Sequence, residues 1–363
     1  PSGYLSYFDK VNDWFVLMDS SYSPVDTIDG NGGFTPDFHE LVHLSNGNSL
    51  IMCEDHITMD LSGFGGSPTA NVIDNVIQIQ DAADVLLFQW RGTDHISPSE
   101  TVLDITASNV DYAHINSLEY DLNGNLICSA RNMSQVFQIM VSDGSLGWRM
   151  GGTLGNLSYI NDPDGISLQH DGRILNDGHL TVFDNGVMHA SPVASAKEYI
   201  IDTVAMTAEM VWSYSHHLGL ASGRTGNAQR LPNGHTFINW GDRNGTNTNP
   251  NFTEVSSGGT IMYQFYFSDA GNYTCYRGRR HPWDLTTSVV EMEAPTLTVF
   301  PNPTKDFITI SKAVEEWRIY TINGSLIRTG IEQVIDVSDL NAGLYAIQVN
   351  DGGIHSTLKF VVE

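Results

Sequence analysis

Apolar and polar residues alternate in short bursts along the chain, a period of two that predicts β-strands. Four bursts share one phrase: FHELVHLSNGNSLIM (residues 38–52), AHINSLEYDLNGNLICS (113–129), QHDGRILNDGHLTVF (169–183) and GNAQRLPNGHTFINW (226–240). Each is an apolar strand, an Asn-Gly or Asp-Gly pair and a second apolar strand. The pair supplies the positive φ of a tight turn, so each phrase predicts a β-hairpin. A second strand pair follows each: NVIQIQDAADVLLFQW, QVFQIMVSDGSLGWRM, KEYIIDTVAMTAEMVWSY and FTEVSSGGTIMYQFYF. Phe88, Trp148, Trp212 and Tyr263 take one place in these pairs, and Trp90, Met150, Tyr214 and Phe265 stand two residues later, on the same strand face.

Four strands per unit, repeated at intervals of 54 to 77 residues between the turn glycines Gly47, Gly124, Gly178 and Gly234, predict the blades of a β-propeller. Two further stretches, YLSYFDKVNDWFVLMDSSYSPVDTI at the N-terminus and NYTCYRGRRHPW (272–283), are strand-like, and neither buries both faces alone. A blade shared between the two ends closes the ring and removes its edges. Six blades are predicted, with five as the alternative. Past this point TTSVVEMEAPTL reads as a linker, and short strands parted by Pro, Asn and Gly follow it. The expected class is all-β: a six-bladed propeller over residues 1–285, a linker over 286–296 and a small β-sandwich over 297–363.

Acidic residues outnumber basic ones 42 to 17, a formal charge of −25, and this field repels nucleic-acid phosphates and anionic lipid. The acidity is spread along the chain, which suits a solvated surface in salty or extracellular surroundings. No apolar run approaches the roughly 20 residues of a membrane span. PSGYLSYFDK lacks a charged head followed by an apolar stretch, so the sequence reads as a mature soluble chain. Cys53, Cys128 and Cys275 are too few and too far apart for a CxxC metal site or a disulfide framework. The pair His216–His217 has no spaced carboxylate, and DGNGG and DLNGN lack the spacing of a calcium loop. No metal and no cofactor are expected. No Ser-His-Asp order, Gly-rich phosphate loop or HExxH helix supports a hydrolase, a nucleotide-dependent enzyme or a zincin.

The tail resembles the C-terminal sorting domain of the type IX secretion system of Bacteroidetes, through VFPNPTKDFITI, IYTINGSLI and LNAGLYAIQV in order. That resemblance implies export across the outer membrane to the cell surface or the medium, with the secretion machinery as partner of residues 297–363. The ring resembles the bacterial arylsulfotransferase family of six-bladed propellers, through HINSLEYDLNGNLICSARN, QHDGRILNDGHLTVFDNG, GNAQRLPNGHTFINWG and YRGRRHPW, over roughly residues 38–283. It implies nucleotide-free transfer of a sulfuryl group between phenols through a transient sulfohistidine. Such chemistry needs a nucleophile, donors around the sulfonate oxygens and an acid or base for the phenol oxygens.

His114 and His170 match two of the family's channel histidines and are the candidate catalytic residues. His39 precedes Gly47 by eight residues, as His170 precedes Gly178, and occupies the corresponding place in the first full repeat. With His39, the residues Asn116, Gln169, Gln229 and His189 make up the candidate substrate-binding set. Two departures stand against the family pattern. Gln229 holds the place of the nucleophilic histidine, and an amide cannot form the sulfo-enzyme. Val187, Met188 and His189 follow Gly186 where the family has an arginine, which removes a guanidinium clamp unless Arg173, Arg224 or Arg230 supplies it. His179 and His235, just past turn glycines, read as surface residues, and Arg277, Arg279 and Arg280 as ring-closing residues paired with acids. The readings are therefore sulfuryl transfer from an aryl sulfate, or a non-catalytic secreted or cell-surface binding or structural propeller with a degenerate site.

Overall fold

The computed structural model describes residues 3–242, 249–267, 274–281, 297–351 and 354–363. The chain divides into two compact units, Pro1–Pro282 and Trp283–Glu363. In the first, Gly47, Gly124, Gly178 and Gly234 all sit at φ between 80 and 86°, in the left-handed region the hairpin turns require.

Five sheets result. The first holds β1 (Leu5–Asp9), β2 (Trp14–Met18) and β3 (Pro24–Ile28). The second runs β4 (Thr35–His43), β5 (Ser49–Met59), β6 (Ala70–Gln80) and β7 (Leu86–Arg91), with β8 (Asn109–Asp111) parallel on β6. The third holds β9 (Ile115–Tyr120), β10 (Leu126–Ala130), β11 (Gln135–Ile139) and β12 (Leu146–Gly151). In the fourth, β13 (Ser158–Ile160) lies outside β17 (Thr207–Ser215), followed by β16 (Ser195–Asp202), β15 (Leu180–Asp184) and β14 (His170–Ile174). The fifth is β18 (Asn227–Arg230), β19 (Thr236–Asn239), β20 (Phe252–Val255) and β21 (Ile261–Phe265). The four predicted hairpins are β4–β5, β9–β10, β14–β15 and β18–β19.

Alternate side chains of successive sheets meet face to face. Phe15, Leu17 and Ile28 of the first pack on Ile51, Cys53 and Val76 of the second. Leu50, Ile77 and Trp90 meet Leu118, Cys128 and Phe137 of the third. Ile127, Val136 and Met150 meet Leu180, Val182 and Tyr199 of the fourth, and Phe183 and Ala196 meet Ile238 and Trp240 of the fifth. Each large side chain so covered contributes about 1.5–3 kcal/mol. Sheets stacked by both faces form a β-propeller.

The innermost strands β4, β9, β14 and β18 line the axis, and neighbours are tied by side chains reaching across to the next backbone. The Asn116 amide donates to Gln169 O at 2.8 Å, Gly172 N–H donates to Ser117 Oγ at 3.0 Å, and Ile174 N–H donates to the Glu119 carboxylate at 2.9 Å. The described part of the predicted strand NYTCYRGRRHPW, residues 274–281, continues this series and forms no backbone ladder. Its backbone is held by side-chain amides: Gly278 N–H donates to Asn227 Oδ1 and Arg280 N–H to Gln229 Oε1, both at 2.7 Å. On its other side Arg277 donates to Glu40 Oε1 of β4 at 3.1 Å. Five segments thus line the axis among the described residues, and the count of six blades stays an expectation of the family resemblance.

The second unit contains β22 (Val299–Phe300), β23 (Phe307–Ile310), β24 (Glu316–Thr321), β25 (Leu326–Gly330), β26 (Val334–Asp336), β27 (Gly343–Asp351) and β28 (Ile354–Val362). They form two sheets, β22-β23-β26 and β25-β24-β27-β28, closed over Ile308, Trp317, Ile319, Ile335, Ile347 and Phe360. The linker predicted over 286–296 lies outside the described residues.

Candidate channel site

Three histidines from three repeats gather at one end of the inner strands, around Tyr276. The His39 and His114 rings meet edge to face at 4.9 Å, and the Tyr276 ring lies 5.3 Å from His39 and 6.3 Å from His170. Their hydrogen bonds divide them into two kinds.

His39 and His114 are each clasped by an upstream carboxylate. Asp37 Oδ1 accepts the His39 backbone N–H at 3.0 Å and stands 2.5 Å from its Nδ1. Asp111 accepts the His114 backbone N–H at 3.1 Å through Oδ1 and meets its Nδ1 at 2.5 Å through Oδ2. The grip turns His114 into the left-handed region, φ 49°, a conformation uncommon for a side chain with a Cβ. With Nδ1 committed to the carboxylate, Nε2 is the free edge of each ring, and no bond to it is found among the described residues. Burial lowers the His114 pKa, but the hydrogen bond and charge of Asp111 outweigh it and leave the pKa above the ordinary histidine value. His39 is nearly buried and stacks on Phe38 at 4.2 Å and 23°, while 29% of the His114 side chain is exposed.

His170 has no free edge. Its Nδ1 meets Asn185 Oδ1 at 2.8 Å, and its Nε2 accepts the Thr225 N–H at 3.1 Å. Thr225, at φ 60°, is turned so that its N–H faces the ring. Burial lowers the His170 pKa to about 3, against the Asn185 bond and together with the nearby Arg131, His114 and His39. The ring is a neutral pin between the fourth and fifth sheets.

The remaining candidates lie apart from the free imidazole edges. Asn116 and Gln169 are fully buried in the wall between β9 and β14, where the Gln169 amide donates to Ser129 Oγ, Ala130 O and Gln135 O. Gln229 holds the backbone of Arg280 from both sides, donating to its O and accepting its N–H, so the amide at this place closes the ring. His189 sits beside Asp184, which pairs with Lys197, and Lys197 also reaches Asp162. At the outer turns, His179 and Arg230 share Glu198, while His235 and Arg280 share Glu254. Asp177, His179 and Glu198 offer ligand atoms within 4.8 Å of one another, but the Glu198 carboxylate is already held by His179 and Arg230.

The substitutes named for the missing arginine are engaged elsewhere. Arg173 binds Glu40 and Asp171, Arg230 binds Glu198 and covers Trp212, and Arg224 pairs with Asp242 at the surface. A further guanidinium, that of Arg131, lies near two of the histidines. Its charge is felt by both His114 and His170, it donates to Asn132 Oδ1 and Gly223 O, and its buried Nε has no partner among the described residues. It lies in a single 3₁₀ turn after β10, in "ARNM". Deeper along the axis, Asp171 takes Arg173, Arg277 and Arg279 together. Burial raises the Asp171 pKa, but the three guanidiniums hold it well below the carboxylate range.

The geometry defines a β-propeller with carboxylate-backed imidazoles at one end of an ion-paired axis. The chain belongs to the arylsulfotransferase family, whose model matches residues 7–268, and residues 298–363 match the secretion system C-terminal sorting domain. That domain marks the protein for secretion or the cell surface and implies contact with the type IX secretion machinery. No helix among the described residues is long and apolar enough to cross a membrane. No curated protein matches. Among solved structures, a protein of unknown function from Bacteroides caccae is 12% identical over 74% of this chain and 83% of its own, with a TM-score of 0.46. A virginiamycin B lyase from Staphylococcus aureus is 10% identical over 100% and 96%, at 0.40. The Cps50 (Swd1) β-propeller domain of Myceliophteria thermophila is 10% identical over 72% and 84%, at 0.39. At these scores the likenesses carry no argument about activity.

Proposed function

We propose that this secreted propeller transfers sulfuryl groups between phenolic compounds at the His39–His114 pair. The observation that carries the reading is the pair of Asp-backed imidazoles, edge to face at 4.9 Å, with both Nε2 atoms free among the described residues. His114, the more exposed, is the nucleophile. Its Nε2 lone pair attacks the sulfur of an aryl sulfate, and the S–O bond breaks. The phenolate leaves with that electron pair and takes a proton from Nε2 of His39. Asp111 stabilises the positive sulfoimidazole, as an oriented carboxylate stabilises an imidazolium. An acceptor phenol then gives its proton to His39, its oxygen attacks sulfur, and the N–S bond breaks back to neutral His114. Arg131 offers a guanidinium to the sulfonate oxygens, the role left open by the absence of an arginine after Gly186.

The test is turnover of 4-nitrophenyl sulfate with a panel of phenol acceptors. Nitrophenolate and sulfated acceptor are expected, with a sulfonated peptide containing His114 by mass spectrometry and loss of turnover in His114→Ala. No product with any acceptor refutes transfer. The second reading, binding without transfer, is favoured by His170, whose ring nitrogens are both engaged, and by Gln229, committed to Arg280. Saturable aryl sulfate binding without product establishes it instead.

A further inference from the structure

On the fifth propeller sheet, away from the three channel histidines, aromatic side chains share one face. The Phe237 and Phe252 rings stack at 5.4 Å and 12°, and Phe265 continues the row 5.8 Å from Phe252. The strand register brings this about: Phe252 pairs with Phe265, and Glu254 lies between Phe237 and Tyr263. Gly278 crosses above Phe252, where any Cβ would run into the ring. The opposite wall is Arg279, Arg280 and His281. Together they enclose an open groove of about 750 Å³, within the range of small-molecule sites. Its apolar groups remain partly in solvent, Tyr263 at 53% and Phe265 at 40%.

Two arginines thus stand beside a partly exposed aromatic floor in a chain of net charge −25. Glu254 is the acid of the lining, and it is already divided between His235 and Arg280. Arg279 shares Asp171 with two other arginines. Arg173 beside it, with burial, lowers its pKa against the pull of Asp171 and Glu40.

We infer that this groove is a second binding site, separate from the histidine pair, for a small flat aromatic anion: rings on Phe237, Phe252, Tyr263 and Phe265, and a sulfonate or carboxylate group at Arg279, Arg280 and His281. Stacking and cation contacts act at opposite ends of the ligand, so neither a neutral aromatic nor a bare anion satisfies the groove. A two-fold contact between copies centred on this face would bring two cationic walls together, which disfavours the same surface as a dimer interface.

The test is calorimetric titration of the full chain with naphthalene-2-sulfonate and with its neutral sulfonamide. Expected are saturable sulfonate binding, about tenfold weaker binding of the sulfonamide, and about tenfold weaker sulfonate binding in Tyr263→Ser and in Arg280→Gln. His114→Ala is expected to leave sulfonate affinity unchanged. Tyr263 is exposed, so its substitution keeps the test valid should Arg280→Gln fail to fold. No binding at millimolar ligand overturns the inference. So does binding lost in His114→Ala but insensitive to Tyr263→Ser, which locates the ligand at the channel. A dimer in sedimentation that Tyr263→Ser dissociates overturns it as well. Nitrophenyl sulfate turnover in Tyr263→Ser is expected at the wild-type rate, so the groove and the transfer site fail independently.

Discussion

His170 is the sharpest point at which resemblance and geometry part, and acid makes the difference measurable. Lowering the pH from about 7 to about 5 protonates His170 in the unfolded chain, where its pKa is the ordinary 6.5, and not in the folded chain, where it is about 3. The unfolded state then binds the extra proton. Stability from this group is full above the unfolded value and falls as the pH drops through the window toward the folded one. At about pH 5 the loss is about 2 kcal/mol, from about 1.4 kcal/mol per pH unit, and the side chain is buried enough that solvent screening scarcely reduces it. His170→Gln removes the titration while offering an amide to Asn185 and Thr225. Urea unfolding of both proteins at the two pH values, followed by propeller tryptophan fluorescence, measures it. The stability gap between wild type and variant should narrow by about 2 kcal/mol at the lower pH. His114, with its raised pKa, acts in the opposite sense, adding stability at low pH that is lost as the pH rises, but it is common to both proteins and cancels. A gap unchanged between the two pH values refutes the neutral pin and returns His170 to the catalytic candidates.

Other consequences are more direct. Asp111→Asn should cut aryl sulfate turnover by about 10²-fold or more, by removing the charge that steadies a positive His114, and the pH at which turnover half-rises should move down toward the ordinary histidine value; steady-state rates across pH report both. Arg131→Gln should lower turnover by about 10²-fold by removing a donor from the sulfonate, and melting should show a smaller loss of about 1–3 kcal/mol, since the bonds to Asn132 Oδ1 and Gly223 O go with it. Asp171→Asn leaves Arg279 without its ion-pair acid and Arg173 and Arg277 with Glu40 alone, and chemical denaturation should show a loss of about 3–5 kcal/mol. Gly278→Ala drives a methyl into the Phe252 ring, so its melting temperature should fall by several degrees, about 1–3 kcal/mol of overpacking.

The hairpins were legible because their cause is local: an Asn-Gly or Asp-Gly pair and alternating strands lie within fifteen to seventeen residues of one another. The acids behind the two free imidazoles were equally local, Asp37 two residues before His39 and Asp111 three before His114, and His170, preceded by Ser167, Leu168 and Gln169, lacks such an acid. That contrast was the available signal for telling the histidines apart, and position within the repeat alone concealed it. What could not be read is set by neighbours in other repeats. Thr225 occupies the His170 ring from 55 residues away, and Arg280 occupies the Gln229 amide from 51. Arg131 comes within electrostatic reach of His114 only because the chain turns back after β10.

The same inter-repeat bonds decide what chemistry the axis supports. A propeller brings equivalent positions of its repeats to one axis, and equivalence of place gives no equivalence of role. An imidazole becomes reactive only where its second nitrogen is left over, and that depends on whether the next repeat also claims the ring. In His39 and His114 the carboxylate stands two or three residues upstream, no other repeat claims the ring among the described residues, and one edge remains. In His170 Asn185 of its own repeat takes one nitrogen and Thr225 of the next repeat takes the other, and the residue joins blades instead. Gln229 illustrates the same trade from the other direction: an amide can donate and accept at once, which suits it to clasp the Arg280 backbone and disqualifies it as a sulfur nucleophile. A histidine restored at that position would gain a nucleophilic nitrogen and lose the two-way clasp on Arg280. Gln229→His should therefore lower the stability of the ring, and it should raise turnover only if the imidazole rotates away from the 274–281 backbone. Denaturation and nitrophenyl sulfate assays on the one variant separate these outcomes, and a stability equal to wild type would refute the clasp.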